Sequence, residues 1–305
     1  MAKKLVIANN QRPDFVEFHA ALQDGRDIYD YVGYRSLLFE FDTDINLSHF
    51  WNVETGARSD EYGGVYLNGY LSTVEIATTA ATVLDTQSIA YVNRELATAP
   101  SLSKLSSYAK LAGAGVSMPH TFGGAAYALL AGFTQHRITL QAPFVLKRAD
   151  ADRGIDNYKV DSYDQAIKLL QGQDERSLWV AQAFVPNDGF YLVSIYHDQP
   201  EFTIYRAMGE RADGRSDKAH MFKPKGGVNA SLIDITDTPQ QVVDISLAAA
   251  KAMNRQIASV DSLYNPATGN VYVLEVNYNP QLVTITTFKD VRREAFLRAV
   301  QQIGE

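Results

Sequence analysis

Cysteine is absent from the 305 residues, which excludes disulfides, thiolate metal sites and cysteine nucleophiles together. Excess positive charge is missing too. Lys and Arg number 28 against 35 Asp and Glu, a net of −7, so the chain lacks the basic footprint that nucleic-acid phosphates require. No apolar run approaches the length of a membrane span, and Lys4-Leu-Val-Ile-Ala8 is too short for a signal-peptide core. The six histidines, His19, His49, His120, His136, His197 and His220, show no metal-ligand spacing. No serine nucleophile elbow occurs. These absences predict a cytoplasmic chain with neither membrane nor nucleic-acid partner. What remains is ordinary: 46% hydrophobic and 21% charged residues, enough for two or three subdomains with large cores.

Strands and helices alternate over the first ~95 residues, which suggests a small parallel α/β unit. Its strands are read at Lys4–Ala8, Ser36–Phe41, Val65–Leu67 and Ile89–Val92, its helices at Asp14–Leu22 and Thr73–Leu84. A helix follows over Ser101–Gly113, capped by Ser101 or Ser103. Buried strands are expected at Phe144–Lys147 and Trp179–Val185, with a helix from Asp161 to Leu170 between them. Tyr191–Tyr196 and Glu201–Ala207 form a hairpin, Gly209–Gly227 a long polar loop, and Pro239–Met253 and Phe288–Ile303 amphipathic helices.

Near the C-terminus, the apolar runs Ile257–Leu263 and Val271–Val276 flank Asn265-Pro-Ala-Thr-Gly269, a hairpin tip. Glu275 and Asn277 are two apart and leave the same strand face. Asp261 comes level with them when the hairpin closes. Three hard oxygen ligands on one face suit Mg²⁺ held together with substrate phosphates. A solvent-facing hairpin is the competing reading; it explains the alternation but not the shared face of Asp261 and Glu275.

A magnesium face implies a nucleotide, and phosphates need cations. Gly209-Glu-Arg-Ala-Asp-Gly214-Arg215-Ser216 nearly spells a P-loop, but no helix pattern follows it, so it is rejected. Lys104, early in its helix, and Lys147, closing a buried strand, can reach phosphate. A strand-end lysine that snorkels to water is the alternative for Lys147. The loop behind it, Arg148-Ala-Asp-Ala-Asp-Arg153-Gly154-Ile155, suits a phosphate cover. Trp179-Val-Ala-Gln182-Ala-Phe184-Val185 can offer backbone to a purine edge, and Asp188 can take ribose hydroxyls or be an ordinary turn acid beside Gly189.

In this order the pieces resemble the ATP-grasp superfamily. Asp261 with Leu274-Glu-Val-Asn-Tyr-Asn-Pro280 looks like its metal signature. Ser103-Lys104-Leu105 followed by Gly115-Val-Ser-Met-Pro119-His-Thr121 looks like its first lysine helix and exit, and Phe144-Val-Leu-Lys147 like its second lysine strand. The resemblance runs from about Tyr91 to Pro280, closest in style to RimK-like carboxylate–amine ligases. It implies an α/β and α+β ATP-grasp fold behind an N-terminal parallel α/β domain: 1–100, a small lid at 101–177, and a larger metal-bearing part at 178–305. ATP and Mg²⁺ are the cofactors it implies.

Carried over position by position, Lys104 and Lys147 contact phosphates, and Arg153 and Gly154 lie in the phosphate loop. Gln182, Phe184, Val185 and Leu274 frame adenine, and Asp188 takes ribose. Asp261, Glu275 and Asn277 hold the metal. Arg206 steadies an acyl phosphate, and Lys225 sits with Gly226-Gly227 beside the substrate; a surface arginine on an edge strand is the plainer reading of Arg206. The chain departs from the pattern in having one glycine after Lys147 and Tyr191-Leu192 where relatives often carry an acid and an arginine. The implied activity is ATP-dependent joining of a small-molecule or peptide carboxylate to an amine through an acyl phosphate, with a homo-oligomer left open. The alternatives are a peptide-modifying macrocyclase, docking its peptide on Asp42–Tyr62 with Phe50, Trp51 and Tyr62, and a regulatory protein that holds ATP without turnover.

Overall fold

The computed structural model describes residues 2–8, 28–42, 47–69, 73–101, 103–151, 156–187, 189–207, 230–265, 268–278 and 288–305. The chain opens with β1 (Lys4–Ala8), every residue of which is buried. It is one of two inner strands of a parallel sheet with β2 (Tyr29–Gly33), β6 (Val65–Leu67) and β7 (Tyr91–Val92), in the order β2-β1-β6-β7. A strand covered on both faces reads as a continuous apolar run, which is why β1 is plain in the sequence. β2 was missed because Tyr-Asp-Tyr-Val breaks that pattern.

The strand expected over Ser36–Phe41 exists as β3 (Leu37–Asp42), but it lies outside the parallel sheet. It pairs antiparallel with β4 (Leu47–Asn52), which pairs in turn with β5 (Ala57–Arg58). Glu40 and Asp42 alternate with apolar residues, and a strand exposed along its length cannot occupy a doubly covered sheet. Phe50 and Tyr62, read as part of an exposed peptide surface, are instead buried in the core beneath helix α1 (Val74–Thr86).

A short helix α2 (Glu95–Thr98) leads to α3 (Lys104–Gly113). Ser103 caps α3, its hydroxyl accepting from the Ser106 amide while Ser106 reaches back. Next come β8 (Thr121–Ala125), α4 (Ala126–Thr134), β9 (Phe144–Arg148), β10 (Asn157–Val160), α5 (Tyr163–Gln171) and β11 (Leu178–Ala183). The strands form an antiparallel sheet in the order β10-β9-β11-β8. Helices α4 and α5 cover one face through Phe133, Phe144, Leu170 and the fully buried Trp179. The other face carries Thr121, Lys147, Lys159 and Gln182, as the registers require.

The third sheet is antiparallel and runs β14-β13-β12-β15-β16. Its strands are β12 (Gly189–Tyr196), β13 (Gln199–Ala207), β14 (Ala230–Ile233), β15 (Ile257–Asn265) and β16 (Asn270–Asn277), with α6 (Gln240–Ala252) ahead of β15 and α7 (Lys289–Gln301) at the end. His197 and Asp198 both have positive φ, 48° and 63°, and close the β12–β13 hairpin tightly. Helix α6 packs on Val193, Ile195, Ala258 and Val260. Helix α7 packs on the opposite face and meets β1 as well, so Phe296, Val300 and Ile303 share one cluster with Val6, Tyr66, Leu192 and Ile204. The helix expected at Asp14–Leu22 and the loop Gly209–Gly227 lie outside the described residues. No helix among the described residues is long and apolar enough to cross a membrane.

Gly189 begins β12 where β13 passes closest. A Cβ there would stand 2.4 Å from the Arg206 carbonyl and 2.7 Å from the Tyr205 hydroxyl, whereas one at Gly113 meets nothing within 4 Å. Gly189→Ala is therefore expected to destabilise the protein by about 1–3 kcal/mol in urea denaturation. Gly113→Ala should be neutral or stabilising by up to about 1 kcal/mol. Equal midpoints for the two variants would contradict this packing.

Candidate functional site

The C-terminal hairpin sets the centre of the site. Counting back from its tip, Ser262 pairs with Val273, which would leave Leu274 opposite Asp261. Instead the register shifts at this step: Leu274 bulges out, Glu275 stands opposite Asp261, and Asn277 opposite Ser259. Asp261, Glu275 and Asn277 thus share a face. The Asp261 Oδ1 atom is buried and has no hydrogen-bond partner. Burial, and next the Glu275 charge, push the Asp261 carboxyl far above its ordinary range, to about 8, while Arg206 pulls the other way. Two carboxylates and an amide form a hard-oxygen set that a divalent cation fits, and a cation would satisfy the orphaned oxygen. Among the described residues no group of three His, Cys, Asp or Glu side chains could hold a metal. An ion here would complete its shell with the amide and with oxygens of a ligand or of water.

Arg206 faces the same centre. It lies on β13 opposite Phe190, two pairs along from Ile204 opposite Leu192 and so on the same face, and Leu192 is opposite Asp261 on the next strand. Its guanidinium sits over the Phe190 ring at 5.5 Å. Burial lowers its pKa and Asp261 opposes that. The reading of a surface arginine on an edge strand is corrected, since β13 lies between β12 and β14.

The two lysines approach from the second sheet. Lys147 Nζ donates to Gln182 Oε1 at 2.7 Å, and Gln182 Nε2 donates to Thr121 Oγ1 at 2.9 Å. Burial lowers the Lys147 pKa to about 8, with Lys104 acting in the same direction and Glu275 against it. Lys104 Nζ donates to the Ala151 carbonyl, and its amide to Ala149 at 2.9 Å, so α3 is tied to the end of β9. Tyr108, on α3, donates to the Leu274 carbonyl at 3.0 Å; burial, then Glu275, raise its pKa. The fold therefore brings Lys104, Lys147 and Gln182 against the strand that carries Leu274, Glu275 and Asn277. It is a cleft between two sheets.

Sequence reasoning carried the purine strand too far. β11 ends at Ala183, and Phe184 and Val185 follow it as irregular chain. The Val185 carbonyl accepts from Asn187 Nδ2 at 2.8 Å, and Lys159 Nζ lies over the Phe184 ring at 4.4 Å. Lys159 and Tyr108 were missed, and Thr121 was named only as the end of the Gly115–Thr121 motif. Lys159 shares the Lys147 face, and the alternation in Asn157-Tyr-Lys-Val160 was the only available signal. Asp188, Arg153, Gly154 and Lys225 lie outside the described residues, as do Gly226, Gly227, Asn279 and Pro280.

The model of one family, the RimK-like ATP-grasp domain, matches residues 101–295. No curated protein matches the chain in sequence. Among solved structures, the ATP-grasp ligase PsnB in complex with precursor peptide PsnA2 and AMPPNP is similar, at 15% identity and TM-score 0.63, over 98% of this chain and 96% of that one. D-alanyl-alanine synthetase A from Vibrio cholerae is similar at 14% identity and TM-score 0.65, over 99% of both chains. D-alanine–D-alanine ligase from Bacillus anthracis, complexed with ATP, is similar at 14% identity and TM-score 0.61, over 98% of this chain and 97% of that one. At such identities the likeness is one of fold.

Lys147 supplies a pH test. A phosphate-binding role would belong to its charged form, and with a pKa of about 8 that form is lost as pH rises through this value. ATP affinity, measured by calorimetry at saturating Mg²⁺, should fall about tenfold between pH 7 and pH 9, following the protonated fraction. Lys147→Gln should bind ATP more weakly at pH 7 and lose that slope. A wild-type affinity that is flat across this range would show that Lys147 does not hold phosphate.

Proposed function

Because the chain belongs to the RimK-like ATP-grasp family, whose model covers 195 of its residues (101–295), we propose that it is an ATP-dependent ligase that activates a carboxylate as an acyl phosphate and joins it to an amine. The observation that carries this reading is the Asp261–Glu275 pair with its orphaned oxygen, facing Arg206 on one side and the Lys104–Lys147 cleft on the other. A passive nucleotide binder has little use for a half-buried arginine set beside two half-buried carboxylates, one of which keeps a buried, unpartnered oxygen. The chain divides for this work into an N-terminal domain at 1–100, a lid at 101–177 and a metal-bearing part at 178–305.

ATP lies in the cleft between the second and third sheets. Lys104 and Lys147 bind its phosphates, Gln182 fixes the Lys147 ammonium, and Phe184, Val185 and Leu274 border the base. Asp261, Glu275 and Asn277 would hold Mg²⁺, which when bound neutralises charge on the β- and γ-phosphates. A carboxylate oxygen of the substrate attacks the γ-phosphorus, the bond to the bridging oxygen breaks, and ADP leaves. Arg206 holds the oxygens of the acyl phosphate through its fork of N–H donors. The amine nitrogen then attacks the acyl carbon, phosphate departs, and the nitrogen gives up a proton. Arg153, Gly154, Asp188 and Lys225 keep their assigned roles in the phosphate loop, at ribose and beside the substrate.

A peptide substrate is the second reading, favoured by the likeness to PsnB, which was solved with a precursor peptide. The surface first suggested for peptide docking does not support it, since Phe50 and Tyr62 are core residues.

Purified protein supplied with ATP, Mg²⁺ and panels of amino acids, dipeptides and dicarboxylates should release ADP only when carboxylate and amine are both present, with the amide found by mass spectrometry. Glu275→Gln should abolish that release without unfolding the chain. Arg206→Lys should lower the rate by roughly two orders of magnitude, the scale of one lost transition-state donor, while calorimetry with a non-hydrolysable ATP analogue shows affinity within a few-fold. A rate unchanged in Arg206→Lys would contradict the assigned role.

A further inference from the structure

The most connected buried carboxylate in the described residues belongs to none of the site residues above. Glu95, on α2, is 1% exposed. Its Oε1 accepts from the Ser101 amide at 3.1 Å, from the Ser101 hydroxyl at 2.6 Å and from Lys110 Nζ. Its Oε2 accepts from Arg255 Nε at 2.6 Å and from the Tyr278 hydroxyl at 2.5 Å. Arg255, itself 3% exposed, donates onward to the Val276 carbonyl and lies over the Tyr278 ring, 3.6 Å from its centroid. Tyr66 of β6 donates to the Tyr278 carbonyl at 3.2 Å. Burial works against the charged form of Glu95, yet Arg255 and the donors from Lys110, Ser101 and Tyr278 outweigh it and hold the carboxyl below its ordinary range.

These contacts have a direction. Val276 and Tyr278 bracket Asn277, so Arg255 and Glu95 grip β16 on both sides of one proposed metal ligand and next to another, Glu275. Through Ser101 and Lys110 the same carboxylate grips the start and the body of α3, which carries Lys104 and Tyr108. Tyr108 then closes the ring by bonding Leu274. The linker, the phosphate-facing helix and the metal-facing strand are thus referenced to one carboxylate supplied from the N-terminal part of the chain.

We infer that Glu95 is a positioning residue for the metal end of the nucleotide site. With Arg255 and Tyr278 it sets where Asn277 and Glu275 stand, and with Lys110 and Ser101 it sets α3 to match. The inference rests on the metal reading of Asp261, Glu275 and Asn277, and it gives the N-terminal part a task in nucleotide binding that touches no nucleotide. Removing such an outer partner typically weakens metal binding by about 10–100-fold while the ligands themselves stay in place.

The test uses full-length protein, with ADP titrated by calorimetry in the absence and presence of Mn²⁺. In wild type, Mn²⁺ should tighten ADP binding. Glu95→Gln should lose about tenfold in the Mn²⁺-dependent affinity and keep its metal-free ADP affinity within about twofold. Tyr278→Phe retains the ring beneath Arg255, removes one hydrogen bond, and should show a smaller loss of the same kind; it carries the test should Glu95→Gln fail to fold. Arg298→Ala, which breaks a half-exposed pair with Glu201 at 2.9 Å, should change neither affinity. Equal loss of both affinities, or retention of the full Mn²⁺ gain in folded variants, would overturn the positioning role and leave the metal site standing. A wild type with no Mn²⁺ gain would overturn the metal reading and this inference together.

Discussion

Asp261 and Glu275 face each other across β15 and β16, and the buried Asp261 Oδ1 has no hydrogen-bond partner in the protein. Like charges held this close in a poorly solvated site repel strongly, and one carboxyl is driven toward its neutral form unless a cation intervenes. The surroundings answer that constraint. Arg206 stands on the same face, Lys147 approaches from the facing sheet with its own charge weakened by burial, and Lys104 lies behind it. The single-residue bulge at Leu274 creates the arrangement, because without it Leu274 would occupy the Glu275 position opposite Asp261. A chain selected for stability alone would gain by replacing such a pair with packed apolar residues. Keeping it implies a ligand whose charge the pair is built to meet.

The rest of the molecule holds the two sides of the cleft to one another. Helix α7 is wedged between the third sheet and β1, so it fastens the third sheet to the parallel one. Glu95 fastens the linker and α3 to the end of β16. A buried ion pair of this kind is weak evidence for stability, but removing one partner leaves an uncompensated charge, which makes it effective at fixing a register. The second sheet meets this body through α3 and the polar face of β9 and β11. The second and third sheets thereby have separate hydrophobic clusters and meet along charged side chains.

The shared face of Glu275 and Asn277 was legible in the sequence for a simple reason. Period-two alternation places Glu275 and Asn277 on one face whatever the fold, and a hairpin tip at Asn265–Gly269 brings Asp261 near them, while the bulge at Leu274 sets it opposite Glu275. The bulge was not legible, since it depends on pairing geometry and on no single residue. β1, α1 and α6 were plain because apolar periodicity and burial agree in them. β8 and α4 were missed because Gly123-Gly124 reads as a turn, although Gly123 is a close-approach position where a Cβ would stand 2.5 Å from Leu105. β3 was assigned to the wrong sheet because its apolar residues were weighed more heavily than Glu40 and Asp42. The Glu95 network could not be read at all. Its members, Glu95, Lys110, Arg255 and Tyr278, are scattered along the chain, and only the fold shows that they converge.

The central claim is that Asp261, Glu275 and Asn277 hold a metal ion together with the phosphates of a nucleotide. A crystal structure of the protein grown with ADP and Mn²⁺ tests it most directly, since the anomalous signal of manganese fixes the ion independently of the surrounding model. An anomalous peak is expected within coordination distance of the Asp261 and Glu275 carboxylates and the Asn277 side chain, shared with phosphate oxygens that also reach Lys147. Nucleotide bound elsewhere, or bound in this cleft with no manganese at those three side chains, would contradict it.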